Sequence, residues 1–235
     1  MTKHSNSKIA VVITAAGSST RMGGSIKKEY LPLGNGTVLS ACVKAFEQAL
    51  NNPENNFDIS HLIVTVPVNG IEQARKAISS GTVTFIEGST TRQKSIFNAL
   101  EYIKKSDVPA DYVLIHDGAR PFVTAQLICS VIQAAQQSGA AAPGIAPTDT
   151  IKVIDENGFI TQHLERRLLT SIQTPQGFAF EQLYDAHKKA AADGHDYTDD
   201  SEIWGKYAGN VKLVQGELKN IKITYPGDLE KGAAL

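Results

Sequence analysis

The feature that most constrains this chain is the alternation, through its first half, of short β-rich runs with helical patterns. Ile9 to Thr14 reads as a buried strand. After a glycine-containing loop, Thr37 is placed to cap a helix in which Val38, Cys42, Ala45, Phe46 and Ala49 share a face. Leu62 to Val66 is the next strand and Ile71 to Ile78 the next helix. Val83 to Ile86 is a strand, followed by a helix from Gln93 to Ile103 with Ile96, Leu100 and Ile103 on one side. Tyr112 to Ile115 is a strand and Thr124 to Gln137 a helix. Such alternation implies βαβ units and a mostly parallel sheet, an α/β fold. Ligands of such sheets bind at the carboxyl ends of strands. That rule points to the loops after Thr14, Ile86 and Ile115.

The pattern then changes. Thr150 to Ile154 and Phe159 to Leu164 flank Asp155-Glu-Asn-Gly158, and Asn-Gly between β-rich runs signals a hairpin. The two runs alternate only partly, so the hairpin is expected off the main core. It is either an edge folded onto its own domain or an arm that packs against a second subunit, since a lone hairpin is marginal in water. Helices from Phe180 to Ala192 and Ser201 to Tyr207, and strands from Val211 to Val214 and Ile221 to Thr224, close the chain. No repeat or linker interrupts it. The reading is a single domain over 1–235 with an arm at about 148–168.

The 235 residues suit one large domain, and 42% hydrophobic residues suffice for its core. A net charge of −1 supplies no global field for a nucleic-acid backbone, so an anionic ligand must be met by local cations. No apolar run is long enough to span a bilayer, and Met1 to Lys8 is polar without an apolar signal region. The expectation is a cytoplasmic protein with a disordered start and neither membrane nor nucleic-acid partner. Cys42 and Cys129 lack metal or redox spacing and read as buried reduced thiols.

Three segments carry chemistry. Thr14-Ala-Ala-Gly-Ser-Ser-Thr-Arg-Met-Gly-Gly24 follows the first strand, and small residues there let backbone N–H groups approach phosphate oxygens. Arg21 adds a planar fork, and Lys27 and Lys28 follow. Neither a P-loop Gly-Lys-Ser/Thr nor a Gly-x-Gly-x-x-Gly fingerprint is present at this loop. His116-Asp-Gly-Ala-Arg-Pro121 ends the Tyr112 strand; Asp117 can hold a hard cation such as Mg²⁺, with Arg120 as a second phosphate fork. His116, with no partner at helical spacing, reads as structural. In Lys219-Asn-Ile-Lys-Ile-Thr224, Lys222 points opposite to Ile221 and Ile223, either to solvent or into a cleft. Asp199 and Asp200 read as the cap of the helix after them. No arrangement suggests covalent catalysis.

Taken in order, six segments resemble the 2-C-methyl-D-erythritol 4-phosphate cytidylyltransferase family. They are Ala15-Ala-Gly-Ser-Ser-Thr-Arg-Met-Gly23, Lys28-Glu-Tyr-Leu31, His116-Asp-Gly-Ala-Arg-Pro121, Asp149-Thr-Ile-Lys152, Gln173-Thr-Pro-Gln176 and Asn220-Ile-Lys-Ile-Thr224. The similarity runs from about Ile9 to Leu229. The resemblance implies a Rossmann-like nucleotidyltransferase sheet with a projecting β-hairpin dimerisation arm. It implies transfer of a cytidylyl group from CTP to a polyol phosphate, methylerythritol phosphate, with release of pyrophosphate and with Mg²⁺ or another divalent cation as cofactor. Carried over position by position, it makes Arg21, Lys28 and Lys222 the catalytic cations. Ala15, Ala16, Gly17, Gly88, Arg92 and Ser95 would hold the nucleotide, and Asp117 the metal. Arg120, Thr150 and Arg166 would bind the acceptor, the last two from a homodimer partner's arm. One departure stands out: many members carry Gly-Gly-Asp-Glu-Arg where this chain has Gly88-Ser-Thr-Thr-Arg92, so an aspartate near the base is here Thr90.

The chemistry implied needs no general base, because a monoester phosphate is already a nucleophile near pH 7. Its oxygen would attack the α-phosphorus opposite the departing pyrophosphate. Three other readings stay open on the sequence: a ribitol-5-phosphate cytidylyltransferase, an NAD-dependent oxidoreductase, and a nucleotide-binding protein without catalysis.

Overall fold

The computed structural model describes residues 6–17, 26–50 and 55–234. The chain runs through β1 (Ser7–Thr14), a 3-10 turn (Lys28–Tyr30), β2 (Pro32–Leu33), β3 (Gly36–Thr37), α1 (Val38–Leu50), β4 (Phe57–Val66), α2 (Ile71–Ala77), β5 (Thr84–Glu87), α3 (Arg92–Lys105), β6 (Tyr112–Asp117) and α4 (Ala125–Ser138). It continues through β7 (Ala140–Ile145), β8 (Lys152–Ile154), β9 (Ile160–His163), a 3-10 turn (Arg166–Leu168), β10 (Ser171–Ile172), β11 (Gln176–Ala179), α5 (Phe180–Asp193), α6 (Asp200–Tyr207), β12 (Lys212–Gln215) and α7 (Asp228–Ala234).

Eight strands form one twisted sheet in the order β10-β7-β11-β6-β1-β4-β5, with β12 also beside β7. β6, β1, β4 and β5 are mutually parallel, as are β12 and β7. β11 is antiparallel to both its neighbours, and β10 to β7. The mostly parallel α/β sheet anticipated from the alternation is therefore present.

β1 shows why a central strand reads as a continuous apolar run. Ile9, Val11 and Ile13 face α1, α2 and α4 through Leu39, Phe46, Ala74, Ile128 and Val131. Ala10 and Val12 face α3, α5 and α6 through Ile96, Leu100, Leu183 and Trp204. A strand covered by helices on both sides has no polar face to alternate with. The helices start on caps: Thr37 Oγ1 accepts from Ser40 N–H, Thr91 from Lys94 N–H and Thr124 from Leu127 N–H. Each satisfies a first-turn donor that the helix itself leaves open.

Four expectations need correction. Ser7 and Lys8 pair with Phe57 and Asp58 at the start of β1 instead of belonging to a disordered lead; residues 1–5 lie outside the described residues. Ile221 to Thr224 is not a strand: Ile223 N–H donates to Ala119 O at 2.8 Å, and no ladder forms there. Cys42 is buried, its thiol 3.4 Å from Gly118 O, but Cys129 is only half-buried. β7, Ala-Ala-Ala-Pro-Gly-Ile, carries little β-propensity of its own and has no counterpart among the expected strands; it is a strand because β11, β10 and β12 pair with it.

β8 and β9 form a separate two-stranded sheet, shorter than the runs read from sequence. Its turn is built by Asp155, whose Oδ1 accepts from Asn157 N–H at 3.0 Å and Phe159 N–H at 2.9 Å. Gly158 sits there at φ 85°, in the left-handed region that suits glycine. Ile154, Phe159, Ile160 and, just beyond the hairpin, Leu168 are exposed.

Candidate active site

After β1 the chain places β4 and β5 on one side of it, then returns to place β6 on the other. This reversal opens a crevice at the carboxyl ends of β1 and β6, the place where open α/β sheets take ligands. A cleft of about 440 Å³ lies there. Thr14, Ala16 and Gly17 form one side, Ser89 to Arg92 and Ser95 another, Asp117 to Ala119 the floor, and Lys27, Lys28, Glu29, Lys222 and Thr224 the remainder. The three loops singled out by the strand-end rule thus converge.

Main-chain bonds hold these loops together. Ala15 N–H donates to Thr65 O, Gly88 N–H to Val66 O and Gly118 N–H to Thr14 O. Ser95 pins the loop after β5 with one hydroxyl, accepting from Ser89 N–H at 2.9 Å and donating to Thr91 O at 2.8 Å. Gly88 is forced by close approach: a Cβ there would stand 2.5 Å from the Ala16 Cβ and 2.7 Å from Ser95 Oγ. Gly17, in contrast, has nothing among the described residues within 4 Å of such an atom. Lys27 Nζ donates to Gly17 O at 2.8 Å, tying the two ends of the loop whose middle, 18–25, lies outside the described residues.

The floor is electrostatic. Asp117 Oδ2 lies 2.8 Å from Lys222 Nζ and 3.6 Å from Arg120 Nε, and Oδ1 lies 3.6 Å from Arg92 Nε. Burial pushes the Asp117 carboxyl up, but Lys222, Arg92 and Arg120 more than reverse this and hold it well below the usual carboxylate range. Arg92 is itself anchored by Asp200, fully buried at the start of α6, at 2.8 Å. Burial alone would weaken the Arg92 charge; Asp200 and Asp117 restore and strengthen it. His187 Nε2 meets the other oxygen of Asp200 at 3.0 Å. His116 is fully buried between Thr174 Oγ1 and Arg120 O, and burial pushes its imidazole down to about 4, so it is neutral at neutral pH and structural, as its lone occurrence suggests.

Among the described residues, Lys27, Lys28, Arg92 and Lys222 line the cleft against Asp117 and Glu29, four cations to two carboxylates. The structure brings together Ala16, Gly17, Lys28, Arg92, Ser95, Asp117 and Lys222 of the site residues read from sequence. Ala15 and Gly88 are buried just behind the cleft wall. Arg120 is nearly buried beneath the floor, one terminal nitrogen donating to Asn220 O at 2.7 Å, and it does not line the cleft. Thr150 and Arg166 are exposed on the arm, away from the lining of this cleft; Arg166 donates to Pro147 O at 2.7 Å and Thr148 O at 2.9 Å. Arg21 lies outside the described residues.

Sequence reasoning misses Asp200. The acidic pair reads as a cap, yet Asp199 alone does that work, accepting from Glu202 N–H at 2.9 Å. Nor does the sequence give a role to Thr174 or Asn220. The one available signal is their place inside the Gln173-Thr-Pro-Gln176 and Asn220-Ile-Lys-Ile-Thr224 motifs.

A mostly parallel α/β sheet whose switch-point crevice is lined by lysines and an arginine is built to take a polyanion, and similarity to known proteins places it among the nucleotidyltransferases. The model of the IspD family, 2-C-methyl-D-erythritol 4-phosphate cytidylyltransferase, matches residues 9–235, and the chain belongs to that family. Its similarity to the 2-C-methyl-D-erythritol 4-phosphate cytidylyltransferase of Clostridium novyi is 37% identity, covering 97% of this chain and 96% of the other. The corresponding protein of Caldanaerobacter subterraneus is 39% identical over 94% of this chain and 95% of its own length. Among solved structures, that of the Thermus thermophilus cytidylyltransferase superposes with a TM-score of 0.76 at 31% identity, covering 97% of this chain and 98% of the other. The 4-diphosphocytidyl-2C-methyl-D-erythritol synthase of Anaerococcus prevotii gives 0.81 at 29% identity, with 97% and 95% covered.

Proposed function

We propose that this chain transfers the cytidylyl group of CTP to 2-C-methyl-D-erythritol 4-phosphate, giving 4-diphosphocytidyl-2-C-methyl-D-erythritol and pyrophosphate, a step of non-mevalonate isoprenoid synthesis. Family membership over residues 9–235 supports the reaction. The observation that carries it at the site is the convergence of Lys28, Arg92 and Lys222 on one cleft.

Two polyanions must meet in this reaction, and their repulsion is the first obstacle. Lys28 and Lys222 neutralise the triphosphate and the acceptor phosphate, with Arg21 as a third cation. An acceptor phosphate oxygen attacks the α-phosphorus in line, the bond to the bridging oxygen breaks, and pyrophosphate leaves with that electron pair. Fixed cations near the developing charge need no reorganisation during the step, which is where most of the acceleration arises. Ala16, Gly17 and the Ser95-pinned loop from Gly88 hold the nucleotide. Thr90 lines the cleft with a side chain that carries no charge, so base selectivity rests more on the main chain of that loop.

A divalent cation fits the donor set. Among the described residues no group of three or more His, Cys, Asp or Glu side chains could cage a metal. Two buried carboxylates, Asp117 and Glu29, line the cleft. That suits Mg²⁺, which keeps waters and phosphate oxygens as ligands and needs one or two protein carboxylates. When bound, it supplies charge neutralisation of the triphosphate.

The chain is read as one domain over 1–235 that pairs as a homodimer through the arm at 148–168. The exposed Ile154, Phe159, Ile160 and Leu168 support this, since an isolated apolar hairpin needs a partner surface. Thr150 and Arg166 then serve the acceptor phosphate in the partner's cleft, with Arg120 supporting the floor beneath it. Among the described residues no helix is long and apolar enough to cross a membrane; a cytoplasmic location is part of the same proposal.

The test is pyrophosphate release by the purified protein across the four nucleoside triphosphates, with methylerythritol phosphate and with ribitol 5-phosphate. Release with CTP and methylerythritol phosphate is expected. Preference for ribitol phosphate would move the chain to that activity, and no release with either would overturn the reading.

A further inference from the structure

Lys222 stands at the cleft on an irregular segment, so no strand ladder fixes its backbone. Its anchor is two residues away. Asn220 is fully buried. Its Nδ2 donates to Thr174 O at 2.8 Å and lies 3.4 Å from Gln173 Oε1. Its own carbonyl accepts from Arg120 at 2.7 Å, and its N–H closes a turn on Glu217 O at 3.1 Å. Gln173 clamps the same turn, donating through Nε2 to Glu217 O at 2.8 Å and accepting from Glu217 N–H at 3.2 Å.

Thr174, the residue that Asn220 grips, also sets the other half of the floor. Its Oγ1 accepts from the N–H of Asp117 at 3.0 Å and meets His116 Nδ1 at 3.1 Å. One residue thus fixes both the backbone of Asp117 and, through Asn220, the segment that aims Lys222 at it. Arg120 closes the loop from below, with Nε 3.6 Å from Asp117 and a terminal nitrogen on Asn220 O. The donor side of the amide is met, and a buried donor so held fixes geometry more tightly than apolar contact could, while Asn220 Oδ1 is buried without a hydrogen-bond partner among the described residues. Asparagine suits the place because a short amide donates to a carbonyl without adding a charge to a floor already holding four.

We infer that Asn220 is a positioning residue for the transfer reaction: by binding Thr174 O it holds Lys222 in register with Asp117 at the head of the cleft. The inference rests on the cytidylyltransferase reading, and it assigns to Asn220 an effect on turnover that passes through Lys222.

The test is a double-mutant cycle read by pyrophosphate release, with thermal melting alongside. Asn220→Ala lowers kcat by on the order of 10- to 100-fold, as a displaced catalytic group does. In a Lys222→Ala background the same change costs no more than about twofold further, because the group it positions is already gone. Asn220→Leu, close to the same size and without the donor to Thr174 O or any new charge, runs through the same cycle if the alanine variant does not fold. Equal losses from Asn220→Ala with and without Lys222, or loss of fold in both Asn220 variants, would overturn the inference and leave a merely structural residue. No turnover by the unmodified protein would instead overturn the functional reading, and this inference with it.

Discussion

Arg92, the first residue of α3, reaches across 108 positions of sequence to Asp200, the first residue of α6, and their side chains meet at 2.8 Å. The same guanidinium turns its Nε toward Asp117 at 3.6 Å, so a fully buried carboxylate behind the cleft steadies a cation that lines it. Removing one partner of a fully buried pair costs about 3–5 kcal/mol, and Arg92, 28% exposed and still 3.6 Å from Asp117, puts this case at the low end. Asp200→Ala is expected to lower stability by that order in urea unfolding. An unchanged midpoint would show that water replaces the carboxylate at no cost.

Lys28 tests the chemistry more directly, because it lines the cleft from a short 3-10 turn outside the central sheet. Lys28→Ala should reduce kcat by on the order of 10²- to 10³-fold while the protein stays folded. Arg21→Ala should do the same from the loop before it. Steady-state kinetics together with circular dichroism check both, and near-normal turnover would remove these residues from the mechanism.

Arg166 and Thr150 separate the arm's role from the cleft's. Arg166→Ala should raise the acceptor KM and leave the CTP KM unchanged. If the arm serves the partner's cleft, mixing Arg166→Ala subunits with Lys28→Ala subunits gives, at low acceptor concentration, more turnover than either variant shows alone. Such a mixture assembles some dimers in which one cleft keeps both residues. Failure to complement, with subunit exchange confirmed by mass, would confine the arm to its own subunit or deny it a role.

Gly88→Ala should widen the gap between the loops after β1 and β5. The added methyl meets Ala16 Cβ at 2.5 Å and Ser95 Oγ at 2.7 Å, so one loop must give way. Overpacking of this kind costs about 1–3 kcal/mol. The expected readout is a raised CTP KM with a lowered melting temperature. Normal affinity for CTP would place the nucleotide elsewhere.

His116 sets an acid limit. Burial holds its folded-state pKa at about 4, below the unfolded value of 6.5. As pH falls from 6.5 toward 4 the unfolded chain takes up a proton that the folded site refuses, so stability is fully present above that window and falls within it. The loss is at most about 3 kcal/mol. Asp117, held low by Lys222, Arg92 and Arg120, adds a further loss below the ordinary carboxylate range. His116→Gln should flatten the slope between pH 6.5 and 4 in denaturant titrations, and an unaltered slope would assign it to other groups.

The parallel half of the sheet and the rim of the cleft follow from short-range patterns along the chain. Those features are local: Ile9 to Thr14 is apolar because both faces of β1 are covered, Thr37, Thr91 and Thr124 cap α1, α3 and α4, and small residues after β1 leave backbone exposed to a ligand. Other features depend on distant partners and arise only once the chain has folded. β7 is a strand because its neighbours pair with it, while Ile221 to Thr224, which looks more β-like, forms no ladder. Asp199 and Asp200 are adjacent and identical, yet one caps a helix and the other anchors Arg92. Asn220 acquires its partners from Thr174 and Arg120, far away in sequence. Hydrophobic period and capping act within a few residues and can be read along a chain. A buried polar contact takes its energy from the one fold that brings its partners within about 3 Å and keeps water out.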